Sequence, residues 1–149
     1  MRLSEYTDYA CRVLMHCAAH PGLTTIGELA ERYGISKNHL MKVAQRLAAE
    51  GFVEGVRGRS GGLKLARPAN ALNVGSIMRI MEDTGTFVEC FDAATNSCVV
   101  TPACGLRHAL AGALEAFARH LDQFTIADLV PDSKSYGWQL DAQAATAST

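Results

Sequence analysis

The stretch TTIGELAERYGISKNHLMKVAQRLAAEGFVEG, residues 24–55, admits few folds. Thr25 and Glu28 have capping-box spacing and start a short helix carrying Ile26, Leu29 and Ala30. Gly34 can take the positive φ that stops it. Ser36 is placed to cap a second helix whose inner face is Leu40, Val43, Ala44 and Leu47, and Gly51 ends it. Two helices joined by a tight glycine turn are the pattern of a helix-turn-helix. Taken alone, any αα-hairpin in a helical bundle would match it. The next residues decide. Phe52, Val53 and Val56 lead into Arg57-Gly58-Arg59-Ser60-Gly61-Gly62, and Leu63-Lys64-Leu65 alternates outward again. That predicts a β-hairpin with a basic tip, and a hairpin directly after the second helix makes a winged helix.

Charge supports this reading. The formal net charge of −1 conceals a segregation. Residues 32–67 hold eight Lys or Arg against Glu50 and Glu54, a local +6, whereas residues 82–149 hold nine acids against three bases. A basic segment in a near-neutral chain is the footprint of a phosphate-binding surface. Ser36, Lys37, Asn38 and His39 open the second helix and are expected to meet base edges or phosphates, with Lys42 and Gln45 following on its outer face. Arg57 and Arg59 would reach from the wing, where an arginine tip suits the electronegative minor groove. The competing reading of the tip is a solvated Gly-rich turn.

A first helix is predicted over 4–18, capped by Ser4, with Tyr6, Ala10, Val13, Leu14 and Cys17 at helical spacing, and His20-Pro21-Gly22 ends it. Leu72 to Met81 reads as a linking helix carrying Leu72, Ile77, Ile80 and Met81, its methionines core filler. Thr101-Pro102 is expected to start a long helix with the stripe Leu106, Leu110, Ala113/Leu114, Phe117, Leu121 and Phe124. Such a stripe suits a partner helix, so a homodimer is expected. Two-fold symmetry then predicts palindromic double-stranded operator DNA with half-sites roughly 34–36 Å apart. The expected fold class is mainly α with a small β-hairpin wing. The expected division is a winged helix-turn-helix domain over 1–82, a cluster-binding loop over 83–105, a dimerisation helix over 102–130 and a flexible tail over 131–149. No run is long enough to span a bilayer and the N-terminus lacks a signal peptide's apolar stretch, so no membrane partner and a cytoplasmic location are expected.

Three cysteines, Cys90, Cys98 and Cys104, fall in CFDAATNSCVVTPAC between the last two helices. A reducing compartment makes them poor disulfide candidates. Thiolates are ligands for iron–sulfur clusters and for zinc. Their spacing, seven residues and then five, matches neither ferredoxin pattern, so zinc stays open as an alternative, as does a zinc-stabilised interaction module. Three thiolates would leave one iron of a cubane cluster with a weaker, exchangeable ligand, an arrangement that suits a sensor. If Thr101-Pro102 opens the long helix, Cys104 sits in its first turn, where the dipole favours an anion. Asp8 and Arg12, four apart on the first helix, read by themselves as an exposed ion pair. Cys11 and Cys17 read as packing thiols; His16, His20, His108 and His120 read as surface residues. No Gly-rich nucleotide loop or general-base pair is present, and no enzyme is expected.

In this order the residues resemble the family of iron–sulfur winged-helix transcription regulators. The likeness covers residues 1 to about 130. It rests on MRLSEYTDYA, GISKNHLMKVAQRL, the wing VRGRSGGLKLARP, VECFD followed by Cys98 and Cys104, and FTIADLV. Within the family the chain resembles the nitric-oxide-sensing NsrR type, because of NHLMKVA and because Asp8 stands where that type supplies a carboxylate from the partner subunit. The resemblance implies a dimer with crossed long helices and a 4Fe–4S cluster on Cys90, Cys98 and Cys104 of one chain and Asp8 of the other. A 2Fe–2S cluster is the alternative nuclearity. It further implies a repressor of nitric oxide detoxification genes that leaves DNA when nitric oxide attacks the cluster, with Arg12 as a phosphate contact. A regulator of iron or cluster supply, as in the RirA type, is the alternative within the family. The IscR type uses a histidine three residues after the last cysteine; position 107 here is Arg, and His108 departs from that pattern.

Overall fold

The computed structural model describes residues 2–130 and 132. Apart from Asp132, the tail expected to be flexible lies outside them. The order is α1 (Glu5–Ala19), α2 (Ile26–Tyr33), α3 (Lys37–Ala49), β1 (Val53–Val56), β2 (Gly62–Leu65), α4 (Val74–Met81), α5 (Gly105–Leu121) and α6 (Ile126–Leu129), with short 3-10 turns between. The expected class, mainly helical with a small hairpin, is the observed one.

Local chemistry sets most boundaries. The Ser4 side chain caps α1 by accepting from Thr7 N, and both halves of the Thr25–Glu28 capping box are formed at α2. Gly34 closes α2 at φ 65°, and the Ser36 hydroxyl accepts from His39 N at 3.2 Å. The helix-turn-helix is therefore as the spacing predicts. β1 and β2 pair antiparallel, Val53 with Leu65 and Val56 with Gly62, leaving 57–61 as the tip. The connection before α2 adds a bridge that spacing did not announce: Leu63 N donates to Thr24 O at 2.7 Å and Thr24 N to Leu63 O at 2.9 Å. The root of the wing is thereby fixed to the domain.

The core is one cluster. Ala10, Val13 and Leu14 of α1 are fully buried with Leu29, Leu40, Val43, Leu47, Leu72 and Ile77. Met78 and Met81 are buried core residues as expected, whereas Ile80, read as inner face, is exposed. His16 is a second correction. It is buried, its ring stacked on His20 at 4.3 Å and its Nδ1 3.3 Å from the Tyr33 hydroxyl. At i and i+4 on the last turn of α1, the two rings share one face and are covered from α2.

The long helix differs from the expected one at both ends. Thr101–Ala103 is a separate 3-10 turn, and α5 starts only at Gly105 with Cys104 as its cap. The far end stops at Leu121, and the chain turns back so that Ile126 is fully buried. Ile126 N donates to Leu72 O and Val74 N to Phe124 O, both at 2.9 Å. Leu121 and Phe124, assigned to an intermolecular stripe, instead pack on the chain's own core. The rest of α5 is only partly covered: Ala118 is its one buried residue, Leu110 and Leu114 are half-buried, Leu106 is 66% exposed and Phe117 41%.

Gly75 is where α4 and α5 cross. A Cβ there would meet Ala118 O at 2.7 Å and Asp122 N at 2.8 Å, both backbone atoms of the neighbouring segment. The close approach is held by Arg79, which donates to both Asp122 carboxylate oxygens at 2.6 and 2.8 Å. Gly75→Ala must push α5 away, and a loss of about 1–3 kcal/mol is expected from overpacking, measured as a lower midpoint in urea with unchanged slope.

Candidate functional site

The DNA-reading candidates share one exposed surface. On α3, burial of Leu40, Val43, Ala44 and Leu47 leaves Lys37, Asn38, His39, Lys42 and Gln45 turned outward. Ser36 precedes them with one lone pair of its oxygen committed to the cap, which leaves its hydroxyl proton and a second lone pair for a ligand. Met41, 47% exposed, was not singled out by sequence, although its phase shows it: Lys37, Met41 and Gln45 form one i, i+4 row. An exposed thioether there is suited to apolar contact with a thymine methyl. Tyr6 was also missed. It is exposed beside α3, and its hydroxyl donates to Lys42 O at 3.3 Å.

The wing carries Arg57 and Arg59 on an exposed tip. Gly58 takes φ 118°, and at Gly61 any Cβ would strike Val56 O. The glycines therefore serve a tight tip, not a merely flexible one. Two other basic residues near the wing are engaged. Lys64 pairs with Glu54 across the strands at 2.7 Å, and Arg46 with Glu50 at 3.0 Å. Arg57 and Arg59 thus dominate the outward charge of the wing.

The thiol loop is a pinned structure. Cys90 lies in the 3-10 turn Glu89–Phe91, Cys98 follows an Asn96 whose Oδ1 accepts from Cys98 N at 3.1 Å, and Cys104 caps α5. Ser97 donates through both N and Oγ to Glu89 Oε1 at 2.6 Å, and these bonds hold the Glu89 carboxyl below its usual range. Arg107 joins both ends: its Nε donates to Cys90 O at 3.1 Å, and its backbone N–H donates to Cys104 Sγ at 3.4 Å. All three thiols are half-buried. Cys104 was expected inside the first turn of α5 and is instead its cap, which puts the sulfur at the positive end of the helix. Three accessible sulfurs on one loop are a donor set for a soft metal or an iron–sulfur group. Among the described residues, however, no group of three His, Cys, Asp or Glu side chains is close enough to hold a metal ion. One chain places the sulfurs on a common loop without closing them around a centre.

Asp8 pairs with Arg12 at 2.8 Å on the outer face of α1, beside an open cleft shared with Tyr9, Tyr33, Gly34 and Ile35. Both side chains are accessible, 41% and 44% exposed. His108 is exposed, as expected. Cys11 and Cys17 are the packing thiols anticipated, and burial pushes each up to about 11, opposed at Cys17 by a hydrogen bond with Thr24.

A winged helix-turn-helix with a basic tip, followed by a thiol loop and a long open helix, defines a DNA-binding transcriptional regulator. Residues 3–132 match the family described as Rrf2, iron-dependent transcriptional regulator, and the chain belongs to that family. It is 49% identical over 136 residues to the HTH-type transcriptional regulator NsrR of Bacillus subtilis, covering 90% of this chain and 93% of that one. It is 43% identical to the NsrR of Oceanobacillus iheyensis, with 90% and 92% covered. Among solved structures, T. potens IscR superposes with a TM-score of 0.70 at 25% identity, covering 91% of this chain and 90% of that one. CymR of B. subtilis superposes at 0.66 and 22% identity, over 88% and 97%, a likeness of fold. These relatives are regulators and not enzymes. No helix among the described residues is long and apolar enough to cross a membrane.

Two outcomes follow from the geometry. Iodoacetamide at pH 8 will label Cys90, Cys98 and Cys104 of metal-free native protein well before Cys11 and Cys17, whose ionised fraction at a pKa of about 11 is roughly one in a thousand; peptide mass spectrometry reads the order. Removing Arg57 or Arg59 will weaken binding to any duplex and lower the slope of log affinity against log salt by about 1 per arginine, measured by fluorescence anisotropy.

Proposed function

We propose that the chain is a homodimeric repressor that binds palindromic operator DNA and senses nitric oxide through an iron–sulfur cluster of the 4Fe–4S type. Cys90, Cys98 and Cys104 would hold that cluster on one chain, and Asp8 of the partner would complete it. The observation that carries this reading is the loop itself: three accessible sulfurs, one on a helix N-terminus, on a chain whose other half is a basic winged helix. When bound, the cluster would supply an iron with a weakly held oxygen ligand, open to a small diatomic.

The protein's own residues supply the rest. Lys37, Asn38, His39, Lys42 and Gln45, with the Ser36 hydroxyl, would read the major groove, while Arg57 and Arg59 enter the minor groove. Arg12 would contact phosphate once its partner Asp8 is engaged elsewhere; their present ion pair is exposed and worth only a few tenths of a kcal/mol. The partly covered face of α5, with Leu106, Leu110, Leu114 and Phe117, supports a two-fold interface with a second α5. Leu110, Leu114 and Phe117 line an apolar groove of about 690 Å³ completed by Phe87 and Val88 at the start of the thiol loop, so the interface and the loop are continuous. A hundredfold loss of operator affinity needs only about 2.7 kcal/mol of coupling between cluster and DNA sites. Regulation of detoxification genes, with iron supply as the alternative within the family, is the reading that the likeness to NsrR proteins supports.

Anaerobic holo protein is expected to shift its promoter fragment in a gel and to lose the shift on adding nitric oxide. Equal binding in both lanes would refute the switch. A colourless, zinc-containing preparation would favour the structural-module alternative. Asp8→Ala is expected to speed cluster loss and blunt the nitric oxide response without lowering the thermal midpoint of the metal-free protein; unchanged cluster stability would remove Asp8 from the ligand set.

A further inference from the structure

Residues 78 positions apart meet where the thiol loop leaves the winged domain. Glu82 caps the C-terminus of α4, its N–H donating to Met78 O, and the loop begins directly after it with Asp83 accepting from Gly85 N. The Glu82 carboxylate accepts from the Ser4 hydroxyl at 2.7 Å and from Ser4 N at 3.3 Å. Ser4 is the cap of α1: its Oγ accepts from Thr7 N at 3.2 Å, and its carbonyl accepts from Asp8 N at 3.0 Å. A negative group at this end of α1 also complements the helix dipole. In the same turn, the Tyr6 hydroxyl donates to Lys42 O of α3. A single carboxylate therefore joins the root of the loop to the turn of α1 that bears both Asp8 and the contact with α3.

We propose that Glu82 is a positioning residue that locks the first turn of α1 to the root of the thiol loop, so that a change in the loop reaches the recognition helix of the same chain. The role rests on the cluster-dependent reading above and adds a route within one chain to the partner-borne ligand. Neither Asp8 nor a cysteine is part of the lock. Glu82 is half-buried and is not a member of the hydrophobic core.

The test uses full-length protein, as holo form and after iron removal, and a duplex selected by the wild-type holo protein from a random-sequence library. Glu82→Ala is expected to keep the visible absorption per chain while the ratio of holo to metal-free affinity falls at least about tenfold. Glu82→Gln, whose amide oxygen can still accept from Ser4, should retain an intermediate ratio. Hydrogen exchange at the Thr7 and Asp8 amides supplies a readout independent of DNA. In the wild type these amides should respond to iron removal, and in Glu82→Ala they should exchange at one rate in both states. Equal affinities of holo and metal-free wild type would sink the cluster reading and this role with it. A wild-type difference that Glu82→Ala leaves intact, in affinity ratio and in exchange, would sink the role of Glu82 alone. A lower melting point with an unchanged ratio would make Glu82 structural and would equally overturn the proposal.

Discussion

The buried face of α1 is what the remaining elements attach to. Ala10, Val13, Leu14 and Cys17 turn inward on successive turns, and α3, α4, α6 and β2 all pack against the same helix. A fully buried leucine such as Leu14 stabilises the domain by about 1.5–3 kcal/mol through desolvation alone. The consequence is geometric as well as energetic. With its inner face committed to the core, α1 must show Asp8 and Arg12 on its outer side, and its first turn becomes the junction between the recognition helix and the thiol loop.

The two chemistries of the chain are kept apart by fold and by charge. The basic helix-turn-helix and wing occupy residues 24–65, rigidified by the Thr24–Leu63 bridge. The acidic half carries the sulfurs on a loop held by side-chain bonds from Glu89, Asn96 and Arg107 instead of by a core of its own. A loop of that kind can rearrange at little cost in buried area. Such compliance suits the cofactor response we propose, while the packed winged domain holds the exposed face of α3 in place.

Much of this was legible from residue order. The caps at Ser4, Thr25 and Ser36, the stop at Gly34, the wing and the burial phase of α3 all emerged as spacing predicted, because each depends on residues within a turn or a hairpin of one another. Two of the three errors come from tertiary packing. Leu121 and Phe124 continue the apolar period of α5 and looked intermolecular, but the turn at 122–125 folds them onto the chain's own core. His16 looked like surface because its neighbours in sequence are mixed, and it is buried only because α2 brings Tyr33 over it. Cys104 was placed three positions too deep for a local reason: Pro102 is an equally good start for a 3-10 turn as for an α-helix.

By itself, residue order determined the helices, the ends of α1, α2 and α3, the basic segment and the gathering of three thiols on one stretch of chain, since hydrophobic period, capping and charge act over short distances in sequence. Tertiary structure alone decided which apolar faces are satisfied within the chain and which are left open along α5. It also decided that Glu82 meets Ser4 and that Gly75 lets α4 and α5 touch. Those contacts join positions tens of residues apart, and their existence depends on how packed elements approach each other, a distance for which local spacing carries no signal.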